Sequence, residues 1–320
     1  MYDQDRQLHP SLANWLEWLR EAQAVARAAG YRPTATNVRE ALDGLTRRLV
    51  TQIPAVPLVR DDLIQGPHFA VSVRIYHPRP ESALPVALFV HGGGHCAGGV
   101  GLYDPIARKL ALASGRVLVA VDYRLAPECP YPAGLEDVQV CARQVFALLE
   151  RNGLAFERRL AILGDSAGGA LCATLSHLAQ FDPGLAIERQ VLIYPGLDYT
   201  LSQPSTFTLG QGYLLERDRI LWMFDAYLQQ AGNRRDLSPL YMAVTPDYPE
   251  TLILAAELDP LYDEGLAYQR GLVEQGVRAL HRVMPGTIHA FLNLEDLVPD
   301  VCADAYAAIG DFLRAEPAGG

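Results

Sequence analysis

Apolar residues recur along the chain in two patterns whose alternation predicts the architecture. Short continuous apolar runs lie around Leu88 and at 117–121 (VLVAV), 161–163 (AIL), 191–194 (VLIY) and 252–256 (LILAA), and a last strand-like run lies at 280–283. Runs of this length read as strands buried on both faces, as in a parallel sheet. Stretches with helical character separate them, among them 170–179 and 265–274. Two further strands are expected within 56–76, the second alternating through Val71, Val73 and Ile75 after a turn around Gly66 and Pro67. The pattern therefore predicts an α/β protein with a mostly parallel central sheet of about eight strands flanked by helices.

Two segments stand outside the alternation. Near the N-terminus, Leu12, Trp15, Leu16 and Leu19 recur at helical spacing, with Ser11 as the expected cap and Gly30 as the stop. A second helix is expected up to Val50, with Asn37 and Glu40 as its capping pair. Farther on, 197–240 interrupts the strand–helix order: 202–212 reads as loop, and an amphipathic helix carrying Leu221, Trp222, Phe224 and Leu228 follows. No internal repeat or low-complexity linker is apparent, and 317–320 reads as a frayed end.

Composition narrows the function classes. A chain of 320 residues can bury a large core in one domain with an insertion. Its net charge of -10 argues against nucleic acid or an anionic membrane as partner. Lys109 is the single lysine among 27 basic residues, and the arginines are scattered. The five cysteines, Cys96, Cys129, Cys141, Cys172 and Cys302, are odd in number and irregular in spacing, which speaks against a disulfide framework or a zinc site. Residues 1–10 lack the apolar core of a secretion signal, and no run approaches the roughly eighteen apolar residues of a membrane helix. The expected compartment is the cytoplasm.

Candidate chemistry centres on Gly164-Asp165-Ser166-Ala167-Gly168, which follows one strand-like run and opens a helix-like one. A serine on such a turn presents its hydroxyl clear of the backbone, so Ser166 is the candidate nucleophile. The sequence HGGG at 91–94 also ends an apolar run, and its glycines can aim backbone N–H groups into one small space. Gly93 and Gly94, with Ala167 after the serine, are the candidate oxyanion donors. Asp259 lies just past the strand at 251–256, and His289 follows the strand-like run at 279–284. His289 would take the proton from Ser166, and Asp259 would fix its tautomer. Glu257 and Asp263 are rival acids, but the first belongs in or beside the strand and the second suits the first turn of the next helix. His91 and His95 have metal-pair spacing, yet three glycines between them disfavour the helix such a pair needs. A hydrogen-bonded loop anchor is the reading for His91, and neither metal nor cofactor is expected. A serine–lysine pair is excluded, because Ile106 stands three residues before Lys109.

Five motifs occur in order: HGGG at 91–94, DYRLAPE at 122–128, GDSAGG at 164–169, DPLYDEG at 259–265 and PGTIHAF at 285–291. With them the chain resembles the hormone-sensitive-lipase-like branch of the α/β-hydrolases, and most of all its bacterial acetyl esterases. The resemblance implies the α/β-hydrolase fold and a carboxylesterase with the triad Ser166, Asp259 and His289, in the chain order of that fold. It also implies a catalytic core of 51–196 and 241–320, with 1–50 and 197–240 forming a helical cap. Tyr213 and Leu214 of that cap are candidate pocket residues. Two positions depart from the family: His95 replaces the usual aromatic residue, predicting a more polar, titrating pocket wall, and Ala290 replaces glycine after the histidine. The implied substrates are short-chain acyl esters, acetyl to butyryl. The same triad could cleave an amide, carbamate or formamide, and a ligand-binding protein on a hydrolase fold is the reading from another class. Relatives often dimerise through the last strand, here 279–283, and by that analogy a homodimer is the assembly to test.

Overall fold

All eight expected strands join one sheet in the computed structural model, which describes residues 7–67 and 69–316. They are β1 (Leu58–Gln65), β2 (Ala70–His77), β3 (Leu84–Val90), β4 (Val117–Asp122), β5 (Phe156–Asp165), β6 (Arg189–Ile193), β7 (Glu250–Leu258) and β8 (Ala279–Ile288). Their order across the sheet is β1-β2-β4-β3-β5-β6-β7-β8. Only the β1–β2 and β2–β4 pairs are antiparallel, and the other five pairs are parallel. The turn joining β1 to β2 is closed by the Gly66 N–H donating to the Phe69 carbonyl at 2.8 Å.

The continuous apolar runs are explained by burial on both faces. Ala87 and Phe89 of β3 point into one core layer, and Val86, Leu88 and Val90 into the other. Leu118 and Ala120 of β4 alternate in the same way with Val117, Val119 and Val121. Each fully buried large side chain in these layers contributes about 1.5–3 kcal/mol relative to exposure.

Ten α-helices are described: α1 (Pro10–Ala28), α2 (Ala35–Leu49), α3 (Asp104–Ser114), α4 (Ala133–Arg151), α5 (Ala167–Ala179), α6 (Pro204–Thr208), α7 (Arg217–Leu228), α8 (Arg234–Leu237), α9 (Tyr262–Glu274) and α10 (Pro299–Arg314). Three expectations need correction. Ser11 lies inside α1, whose first residue is Pro10; proline suits that position because its missing N–H has no helical acceptor there. The cap of α2 is Thr34, which exchanges hydrogen bonds with Asn37, so the pair sits three residues earlier than Asn37 with Glu40. The stretch 202–212 holds the short helix α6, started by Pro204, rather than loop alone. Residues 1–6 of the polar N-terminus and the expected frayed end at 317–320 lie outside the described residues.

The segment 197–240 leaves β6 at a fixed point. The buried carboxylate of Glu264 on α9 accepts the Leu197 and Asp198 N–H groups at 2.9 and 3.1 Å. Val38 of α2 packs in one cluster with Ile220, Met223 and Phe224 of α7 and with Cys96 and Ala97 beyond β3. Polar ties reinforce this layer. The Arg20 guanidinium donates to the Gly212 carbonyl at 2.7 and 2.9 Å, and Arg39 donates to the Cys96 and Ala126 carbonyls at 2.8 and 3.1 Å. Helices α1, α2 and α7 are thereby held over one edge of the sheet.

Candidate active site

Strand register brings the chemistry together at that edge. Val90 pairs with Gly164, so the glycine loop after β3 is level with the serine turn after β5. Leu258 pairs with Ile288, which puts Asp259 and His289 one residue beyond adjacent strand ends. The chain also reverses its direction of travel across the sheet here, with β4 on one side of β3 and β5 on the other. Such a switch point leaves a crevice at the carboxyl ends of the strands.

Ser166 itself has φ 52 and ψ -118, a backbone that residues with side chains rarely adopt. Two glycines make it feasible. A Cβ at Gly164 would lie 2.4 Å from the Gly168 backbone, and one at Gly168 would lie 2.0 Å from the Val90 carbonyl oxygen. The Ser166 N–H donates to the Ile193 carbonyl at 2.8 Å, which pins the turn to β6.

From this turn the Ser166 hydroxyl reaches His289 Nε2 at 2.9 Å, and His289 Nδ1 lies 2.7 Å from Asp259 Oδ2. Asp259 is 1% exposed and His289 6% exposed. An ionised carboxylate only accepts, so Nδ1 carries the proton and Nε2 is left with a lone pair facing the hydroxyl. The other oxygen, Asp259 Oδ1, accepts the Leu261 N–H at 2.9 Å. Neither rival acid faces the imidazole. Glu257 accepts the Gly286 N–H at 2.7 Å, and Asp263 accepts the Ser205 N–H at 2.8 Å.

The glycine loop is fixed from several directions. The Cys96 and Ala97 N–H groups turn back onto the Gly93 carbonyl, and Gly93 and Gly94 take φ of 120 and 62. His91 Nδ1 donates to the Gly92 carbonyl at 2.8 Å while its ring stacks on Tyr123 at 4.4 Å. The N–H groups of Gly93, Gly94 and Ala167 have no protein acceptor among the described residues, and all three residues border the cavity that holds Ser166 and His289.

Four side chains of this site carry no strong signal in sequence. Asp165 accepts the Gly92 N–H at 2.7 Å and the Tyr103 hydroxyl at 3.2 Å, tying the serine turn to the glycine loop. Burial pushes its carboxyl up to about 7, although both donors pull the other way. Tyr194 sets its ring edge-on to His289, with centroids 5.0 Å apart, and backs onto Phe291. Met223 lies against the loop so closely that a Cβ at Gly94 would come 2.1 Å from its sulfur. Arg219, one helical turn before Met223, also borders the cavity. Only Asp165 had a cue, its place inside the serine pentapeptide.

His95 and Tyr213 depart from expectation. His95 borders the cavity but is 1% exposed and stacks on Tyr227 at 3.7 Å. Burial pushes its imidazole down to about 3, so it stays neutral and does not titrate near neutral pH. Tyr213 is not among the cavity-lining residues; it packs against the core with the Arg20 guanidinium over its ring at 5.8 Å. Its neighbour Leu214 does line the cavity.

The cavity measures about 700 Å³, with mostly apolar walls from α1, α2 and α7. A hydroxyl bonded to an imidazole, a buried carboxylate behind it and free N–H groups alongside are the parts required for acyl transfer. Among the described residues no group of three or more His, Cys, Asp or Glu is placed to hold a metal ion, and no helix is long and apolar enough to cross a membrane.

A family model described as having the alpha/beta hydrolase fold matches residues 87–293. An ethyl acetate hydrolase of Pseudomonas putida is 36% identical over 234 residues, covering 71% of this chain and 73% of that protein. A carboxylesterase of Mycobacterium tuberculosis is 36% identical over 239 residues, covering 72% and 73%. Among solved structures, a hyperthermophilic esterase from the archaeon Pyrobaculum calidifontis superposes with a TM-score of 0.84 at 32% identity, over 96% of this chain and 98% of that one.

Proposed function

The chain belongs to the α/β-hydrolase fold family, in its hormone-sensitive-lipase-like branch, and from that premise we propose that it is a serine carboxylesterase acting on short-chain acyl esters, acetyl to butyryl. The observation that carries the reading is the hydrogen-bonded series from Ser166 through His289 to Asp259, at 2.9 and 2.7 Å, opening on a largely apolar cavity. Ser166 Oγ attacks the ester carbonyl as His289 Nε2 takes its proton, and Asp259 stabilises the imidazolium. The N–H groups of Gly93, Gly94 and Ala167 receive the negative oxygen of the tetrahedral intermediate. Its collapse expels the alcohol, which leaves with the proton from Nε2 and an acyl-Ser166 behind. Water, deprotonated by His289, then attacks the acyl group, and collapse of the second intermediate breaks the acyl–Oγ bond, releasing the acid as His289 returns the proton to Ser166 Oγ.

Steady-state hydrolysis of p-nitrophenyl esters from acetate to palmitate tests this reading. A kcat/KM maximum at two to four acyl carbons is the expected result, falling by about 1–3 kcal/mol of transition-state binding for each misfitting methylene. A maximum at long chains overturns the substrate class, and no turnover of any ester by folded protein overturns the activity.

Residues 1–50 and 197–240 act in this reading as a cap over the core of 51–196 and 241–320. Its support is that α1, α2 and α7 supply cavity walls while every strand lies in the core. The reading extends to a cytoplasmic homodimer paired through β8. Support comes from the five cysteines, all unpaired, and from the position of β8 at the open edge of the sheet. A cytosolic fraction yielding a species of twice 35.1 kDa on gel filtration is expected. A monomer, or recovery in a secreted fraction, would contradict the corresponding half.

A further inference from the structure

Among the described residues lining the mostly apolar cavity, Arg219 alone carries a guanidinium. Arg219 lines the cavity together with Ser166 and His289, and none of its side-chain N–H groups has a hydrogen-bond or ion-pair partner among the described residues. Arg219 is half-buried, and its guanidinium carries five donors that no described residue engages, so they are open to a ligand in the cavity. Glu216 and Tyr31 lend it Coulombic support, yet burial still holds it below its ordinary value. The residue also sits in the first turn of α7, where the positive end of the helix dipole disfavours a cation. Helix stability therefore does not account for it.

Its place beside the chemistry follows from the helix. Met223 touches Gly94 in the loop beside Ser166, and Arg219 precedes Met223 by four residues on the same face of α7. Such pairs stand about 5–6 Å apart at Cβ, which puts Arg219 on the wall of the cavity that Ser166 also borders. Glu216 and Asp218 also border the cavity, and Asp218 is exposed to solvent at its side chain.

We propose that Arg219 is a specificity residue that pairs with a second, carboxylate group on the substrate, so that the preferred esters carry an anion a few carbons from the scissile bond. A planar carboxylate can take two parallel N–H groups of the fork, which fixes the ester in register with Ser166. This deepens the esterase reading and rests on it.

The test compares full-length wild type, Arg219→Gln and Arg219→Lys on two matched substrate pairs. Monoethyl glutarate against ethyl 5-methylhexanoate puts the charge on the acyl side, and 4-(butyryloxy)butyrate against 4-methylpentyl butyrate puts it on the alcohol side. The readout is the ratio of kcat/KM for the anionic ester to that for its neutral isostere. In at least one pair the ratio is expected to fall about tenfold or more in Arg219→Gln and to recover in part in Arg219→Lys. A ratio unchanged by Arg219→Gln in both pairs overturns the proposal. Failure of the wild type to turn over the neutral esters as well would instead overturn the esterase reading. In that case calorimetric binding of monoethyl glutarate to Ser166→Ala, with and without Arg219→Gln, decides the proposal on its own. Equal affinity in the two proteins rejects it, and binding weakened about tenfold upholds it.

Discussion

Ser166→Ala is expected to lower kcat for p-nitrophenyl butyrate by about 10⁵-fold or more while leaving the fold intact. No other group among the described residues can replace the lost hydroxyl. Among the described residues the Ser166 hydroxyl is the group hydrogen-bonded to His289 Nε2, and the thiols of Cys96 and Cys172 are buried and pushed far up by burial. Alanine keeps the backbone of the turn, because φ 52 at this position strains any residue with a Cβ alike. The Ser166 N–H bond to Ile193 and the close packing of Gly164 and Gly168 are untouched. Thermal unfolding and kcat measured on the same preparation check both halves. Residual activity above about one hundredth of wild type would assign the attack to water or to another side chain, and the acyl-enzyme route would fall.

The sheet was legible in sequence because its signal is local. Apolar runs such as 117–121 and 191–194 report burial on both faces, and alternation at Val71, Val73 and Ile75 reports a strand with one covered face. Ser166, Asp259 and His289 were readable for a related reason: each immediately follows a strand, and parallel strands in register end along one edge. Helix caps were harder, since Thr34 and Asn37 are chosen over Asn37 and Glu40 by side-chain geometry that residue types do not specify. Least legible was whatever depends on distant partners. His95 reads as a polar wall until Tyr227, from the far side of the 197–240 segment, covers its ring and keeps it neutral. The contact of Met223 with Gly94, the tie from Asp165 to Gly92 and the seat of Tyr194 on His289 likewise join segments remote in sequence. No periodicity encodes such pairings; they follow from how α7 and the strand-end loops settle over one another.

Asp259→Asn tests the electrostatic half of the site, and kcat is expected to fall about 10⁴-fold with little loss of stability. The direction follows from the hydrogen bonds on either side of the carboxylate. Oδ1 accepts the Leu261 N–H at 2.9 Å, so the asparagine amide must keep its oxygen there and turn its NH₂ toward His289 Nδ1. A donor facing Nδ1 forces the imidazole proton onto Nε2. Nε2 then points a proton at the Ser166 hydroxyl in place of a lone pair, and no base remains to take the serine proton. The shape of the site is preserved, because Asn matches Asp in volume and both hydrogen bonds can still form. Glu257 and Asp263 cannot substitute, held as they are by Gly286 and Ser205. Asp259→Ala provides the contrast: with no amide to dictate the tautomer, the imidazole recovers the Nδ1-protonated form part of the time. Its kcat should therefore lie above that of Asp259→Asn despite the larger structural deletion. The opposite ranking, or an Asn variant within tenfold of wild type, would mean that Asp259 serves packing rather than the state of His289.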